Sequence, residues 1–72
     1  MSQENDMIDA RGLINPIPVL MLQKAMKSSI DSYEIAVDSE STCESIVEFA
    51  EDRGYNVEIE ERNGEFLLRI SK

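Results

Sequence analysis

The residues in this chain best suited to chemistry lie in one run, Ile8-Asp9-Ala10-Arg11-Gly12-Leu13-Ile14-Asn15-Pro16-Ile17-Pro18-Val19. A short apolar strand gives way to a glycine turn, and two prolines one residue apart then open a helix. Proline suits a first helical turn, where backbone N–H groups have no carbonyl partner inside the helix. With Pro16 at the first helical position and Pro18 at the third, two of the orphan donors are absent. Those of Ile17 and Val19 remain, at the partly positive end of the helix. Pro16 also pushes residue 15 into extended backbone, the geometry of an N-cap. The side chain at position 15 is therefore held over a helix start, where an anion, a thiolate or a capping oxygen is stabilised.

The residue at that position is asparagine. It is among the best N-caps, worth ~1 kcal/mol, and its side-chain oxygen is expected to accept from the Ile17 N–H. It cannot act as a sulfur nucleophile. The lone thiol of the chain is Cys43. It falls in the first turn of the second helix, at the same end of the sheet as Asn15, which leaves a reactive thiol there conceivable. Helical periodicity nevertheless puts Cys43 on the core stripe with Ile46, Val47 and Ala50, and free cysteine is commonly buried. Glu40 and Glu44 beside it oppose thiolate formation. The chain has no histidine, so Ser-His and Cys-His mechanisms are excluded. No carboxylate pair sits at an apolar position suited to acid–base work. Gly12, Gly54 and Gly64 are isolated and build no phosphate loop.

The run Ile8–Val19 resembles the signature of the TusA/SirA-like sulfur-carrier family, which includes the amino-terminal domains of YedF-like proteins. That signature reads roughly (Leu/Ile/Val)-Asp-x-x-Gly-Leu-x-Cys-Pro-x-Pro, matched here by Asp9, Gly12, Pro16 and Pro18. The resemblance continues through Val37-Asp38, Phe49-Ala50-Glu51, Gly54-Tyr55-Asn56-Val57 and the final hairpin, and so covers nearly the whole chain. In the family, the cysteine before the first proline carries sulfur as a persulfide and passes it between proteins. Asn15 occupies that position. The resemblance thus implies a sulfur-relay partner such as a desulfurase, and a two-layer fold. Two classes of function follow. One is a non-catalytic interaction or regulatory module of the sulfur-relay family. The other is an active carrier that uses Cys43, or in which Asn15 stands where the natural residue is cysteine.

Composition narrows the setting. Seventy-two residues make one domain, spanning 1–72, with residues 1–6 expected as a disordered lead. Hydrophobic residues at 42% and charged residues at 31% indicate a soluble globular chain. One cysteine permits no internal disulfide and, without histidine, no zinc site. No metal or cofactor is expected, and a reducing cytoplasm is the natural home. The polar, acidic start does not resemble a signal peptide, and the apolar run Val19–Leu22 is too short to span a membrane. Seven Lys and Arg against fifteen Asp and Glu give a net charge of −8. Such a surface repels phosphate backbones and anionic lipid, so neither nucleic acid nor membrane is an expected partner. An electrostatically steered partner should present a basic surface, and the chain is expected to act as a monomer.

The elements that must position Asn15 follow from periodicity. Met7–Asp9 reads as a strand, and the first helix should run from Pro16 to about Ser28. Pro18, Val19, Leu22, Ala25 and Met26 form its core stripe. Ile17 and Leu20 fall on the far side with Met21 at the border, an apolar group beside position 15 suited to docking a partner. Residues 30–32 make a return loop, and Tyr33–Val37 a second strand. Ser41 and Glu44 fit a capping box opening a second helix that ends before Gly54. Tyr55, Val57 and Ile59 alternate with polar residues, and Asn63-Gly64 signals a tight hairpin into a last strand carrying Phe66, Leu68 and Ile70. The order β-α-β-α-β-β, with right-handed crossovers, predicts a two-layer α/β sandwich: a four-stranded mixed sheet with both helices on one face.

Overall fold

The computed structural model describes residues 7–27 and 32–72. The expected disordered lead, the carboxyl end of the first helix at Ser28 and most of the return loop lie outside these residues. The elements run β1 (Met7–Asp9), α1 (Ile17–Met26), β2 (Ser32–Val37), α2 (Glu40–Asp52), β3 (Asn56–Arg62) and β4 (Glu65–Ser71). The sheet order is β1-β2-β4-β3. β1 lies parallel to β2, as a strand–helix–strand crossover requires, and β4 pairs antiparallel with both β2 and β3. The hairpin turns where Asn63 and Gly64 take positive φ, 55° and 81°. Asparagine and glycine tolerate that conformation at low steric cost, which is why this pair closes two-residue hairpins.

Register decides which side chains meet the helices. Ile8 pairs with Ile35, Ile35 with Leu68, and Tyr33 with Ile70. These residues share one face, and there they join Leu22 of α1 and Cys43, Ile46 and Ala50 of α2 in one buried cluster. Both helices therefore cover the same side of the sheet, the arrangement expected from the sequence. Leu22, Ile35, Ile46, Leu68 and Ile70 are fully excluded from solvent. Burying each such side chain contributes ~1.5–3 kcal/mol, the main stabilising term for so small a domain.

Three local details differ from the sequence reading. α2 starts at Glu40 and is capped by Ser39, whose Oγ accepts from the Thr42 N–H at 3.5 Å, so Ser41 is not the cap. Ser39 has the extended backbone of an N-cap, whereas Ser41 lies one residue into the helix and its Oγ pairs with that of Ser39. Ser32 belongs to β2, opposite Ser71, and not to the loop. Ile59 shares the helix-facing side with Leu68 yet is 51% exposed. β3 closes one edge of the sheet, so a side chain on it has a neighbouring strand on one flank only.

Neither described helix covers the opposite face of the sheet. Met7, Ala36 and Leu67 form its apolar floor, and arginines lie across it in ion pairs: Arg69 with Glu34 and Glu60, and Arg62 with Glu60.

Candidate functional site

The turn that carries position 15 is fastened to the carboxyl ends of β1 and β2. Ala10 is fully buried, and its N–H donates to the Ala36 carbonyl at 2.8 Å, extending the β1 pairing by one residue. The chain then reverses through Gly12, at φ 82°, where an L side chain is strained. The Gly12 N–H donates to Asp38 Oδ2 at 2.8 Å, which ties the turn to the end of β2. Asp9 accepts from the Arg11 backbone N–H and from its Nε and Nη2, the last two at 2.9 and 3.0 Å, while Arg11 Nη1 reaches Glu65 on β4. The guanidinium hydrogen bonds hold the Asp9 carboxyl at about 2, below its ordinary 3.8. The same carboxylates push the Arg11 guanidinium further up from an already high value. The Asp and Gly of the signature thus brace the turn from opposite sides.

The entry into α1 differs from the expected geometry. The Asn15–Pro16 peptide bond is cis. Pro16 itself is the N-cap, with Ile17 first in the helix and Pro18 second. The Ile17 N–H donates to the Ile14 carbonyl at 2.9 Å, closing a tight turn, and the Leu20 N–H donates to Pro16. Ile17 therefore has no donor left for Asn15, and no side chain caps the helix. Asn15 stands exposed one residue outside the cap, and its Nδ2 donates to Ser45 Oγ at 3.3 Å. Ser45 in turn donates to the Ser41 carbonyl at 3.1 Å. Position 15 thus bridges from the first helix start to the second helix. A cleft of about 260 Å³ lies between residues 12–15 and the Asp38–Thr42 segment.

Exposed apolar side chains lie close to Asn15 along the chain. Ile14 is 75% exposed, Leu20 54% and Ile17 43%. Met21, grouped with them from periodicity, is half-buried and packs against the core, because its border position turns it toward the sheet. Ile14 was not singled out by sequence reasoning. The available signal was its place between Leu13, which packs on the core, and Asn15 at the turn. Chain reversal there turns successive side chains to opposite sides.

Cys43 is brought to the same end of the molecule but not to the site surface. It is 5% exposed and belongs to the core cluster. Burial pushes its thiol up, and Glu44, Glu40 and Glu61 add to the effect. Glu61 comes from β3 and could not be assigned as a neighbour from the sequence. Among the described residues no group of three or more His, Cys, Asp or Glu side chains could hold a metal ion. No helix among them is long and apolar enough to cross a membrane.

Comparison with known proteins bears on what such a turn does. Residues 6–72 match the TusA family, described as Sulfurtransferase TusA. The chain is 37% identical over 68 residues to a Methanocaldococcus jannaschii protein provisionally named a sulfur carrier, covering 90% of this chain and 91% of that one. Its fold is similar to the crystal structure of a SirA-like protein from Desulfitobacterium hafniense, with a TM-score of 0.85 at 30% identity, spanning 90% of this chain and 93% of that one.

Proposed function

Because this chain belongs to the TusA/SirA-like family of sulfur-carrier domains, we propose that it is an interaction module of the sulfur relay that holds no sulfur itself. One observation carries the reading. The side chain presented at the turn before Pro16 is an exposed amide hydrogen-bonded to Ser45, whereas the lone thiol is buried with its pKa raised. Persulfide chemistry needs a thiolate that a partner's sulfur can reach, and the amide nitrogen and oxygen of Asn15 cannot replace it. What the turn retains is a way to be recognised. Ile14 and Ile17 stand exposed on either side of the Asn15-Pro16 pair with Leu20 about one turn further along α1, and the turn is braced through Asp9, Gly12 and Asp38. A desulfurase or another relay protein is the partner that this face is read to dock, in the cytoplasm and with the domain as a monomer. The net charge of −8 favours a partner with a basic surface.

The sulfur-carrier name of the 37% identical relative favours one other reading, that the chain carries sulfur on Cys43. That would require the first turn of α2 to open, since Cys43 is 5% exposed. Intact-mass spectrometry after incubation with a cysteine desulfurase and cysteine separates the two. The proposal predicts no added sulfur on the parent protein. An added sulfur that disappears in Cys43→Ser would establish the carrier reading in its place.

A further inference from the structure

The chain carries seven Lys and Arg, and the fold uses them in two ways. Arg11, Arg62 and Arg69 are each engaged by carboxylates. Lys24, Lys27, Arg53 and Lys72 make no ion pair among the described residues. Three of those four, Lys27, Arg53 and Lys72, line one cavity of about 470 Å³. It lies where α1 and α2 both finish, since Lys27 and Arg53 are the residues that close those helices. The length of α1 separates it from the turn at position 15 by roughly 15 Å.

Two of the three cations are held in place without being neutralised. The Arg53 guanidinium carbon stands 4.3 Å from the centre of the Phe49 ring, and the Lys72 ammonium 5.2 Å from that of Tyr55. An aromatic face attracts a cation without occupying its N–H donors as a carboxylate would, so those donors stay available. Part of the convergence has an ordinary cause. A cation at a helix end offsets the negative end of the dipole, which accounts for Lys27 and Arg53. Lys72 follows β4 and closes no helix, so the dipole does not account for it. The one acid on the cavity wall is Asp52. Together with about half a charge from each helix end it offsets part of the three full positive charges and leaves an excess. Met26 and Tyr55, both half-buried, supply an apolar wall beside the cations.

We propose that this cavity binds a small phosphorylated molecule, with its phosphate among Lys27, Arg53 and Lys72 and its body against Met26 and Tyr55. Phosphate suits the donor set. A guanidinium offers a planar fork to two phosphate oxygens, and an ammonium adds a compact charge. The volume lies within the usual range of small-ligand sites, ~300–1,000 Å³, and leaves room for more than a bare phosphate. The acidic surface elsewhere keeps the ligand small, because a long polyphosphate chain such as nucleic acid would run from the cavity onto carboxylates. Carboxylates farther off than about 8 Å are screened at physiological salt and weigh little on a ligand confined to the cavity. The site does not involve position 15 and stands whether or not the turn there docks a relay protein.

The test titrates inorganic phosphate and phenyl phosphate into the intact protein at physiological salt and follows amide NMR shifts. Phenyl phosphate should shift residues 23–27, 53–55 and 71–72, and should bind about fivefold more tightly than phosphate by partly burying its ring. Arg53→Gln should weaken phenyl phosphate at least about tenfold, the loss of a charged hydrogen-bond donor set. Arg53 is exposed, so that variant should still fold. Lys72→Gln, which alters no helix end, should weaken binding as well. Lys24→Gln removes a cation that makes no ion pair and does not line the cavity, and should change affinity by less than about twofold. Equal losses in Lys24→Gln and Arg53→Gln would reduce the attraction to general charge. That result, shifts mapping to other residues, phenyl phosphate binding no more tightly than phosphate, or no binding of either at millimolar concentration would each overturn the proposal.

Discussion

At the scale of single residues, the turn is held by paired charges whose effect is readable in acid. Asp9 titrates at about 2 in the folded protein, against 3.8 ordinarily, because Arg11 donates to its carboxylate. A carboxyl with a lowered folded pKa contributes stability that is fully present above its unfolded value. That stability is lost as the pH falls from 3.8 through about 2. A carboxyl-carbon NMR titration should therefore place Asp9 well below the other aspartates. In Arg11→Gln its midpoint should rise toward 3.8, and added salt should shift it the same way in the parent, since the pair is exposed. The importance of Asp9 was visible in the signature, but the reason was not. Its partners are Arg11, two residues away, and through Arg11 Glu65, which lies 54 positions beyond Arg11. Asn15 shows the opposite limit. Its place before a proline marked it as presented, yet the carbonyl that takes the Ile17 N–H is that of Ile14, a local turn geometry that residue types alone do not specify.

At the scale of elements, periodicity and turn chemistry carried most of the reading. The alternation Phe66, Leu68, Ile70 located β4, and the Asn63-Gly64 pair located its hairpin. Helix starts were harder, because several capping residues in a row offer competing first turns. Ser39 and Ser41 both suit an N-cap, and the chain uses Ser39, whose backbone is still extended as β2 ends. Replacing Ser39 by alanine should therefore cost about 0.5–1 kcal/mol in urea-monitored stability, and Ser41→Ala clearly less. The reverse ranking would restore Ser41 as the cap. Alternation also overstated the burial of Ile59, since period two assigns a face but does not say whether anything covers that face at a sheet edge. The Gly12–Asp38 bond joins two elements across the sheet end. Asp38→Ala should lower stability by about 0.5–1.5 kcal/mol, by leaving the Gly12 N–H to water.

At the scale of the whole molecule, one small core joins both helices to the sheet. Ile46 is fully buried at its centre, and Ile46→Ala should cost ~2–5 kcal/mol, a large share of what a domain of this size can hold. A marked fall in the urea midpoint with an unchanged slope is the expected result. The layered architecture was legible because each apolar stripe can be buried on one side only. The division of charge, with carboxylates gathered on α2 and β3 and none on α1, was legible in part. The five carboxylates of α2, with no basic residue among them, are plain in its sequence, whereas the packing of that helix against β3 and β4 is set by the fold.

The central claim is that the turn before Pro16 presents whatever side chain it carries, while Cys43 is withheld. Asn15→Cys tests this most directly, since Asn15 is exposed and does not cap α1, so its replacement removes little beyond the bond to Ser45. A thiol there lies close to the start of α1, where the helix dipole favours a thiolate, whereas the Cys43 pKa is raised by burial. The measurement is the rate of reaction with a small aromatic disulfide at neutral pH in the parent, in Asn15→Cys and in Asn15→Cys/Cys43→Ser. The account predicts one slow phase in the parent, a fast phase added to it in the single variant, and the fast phase alone in the double variant. If the double variant reacts no faster than the parent, the turn before Pro16 does not present the side chain it carries, and the central claim fails.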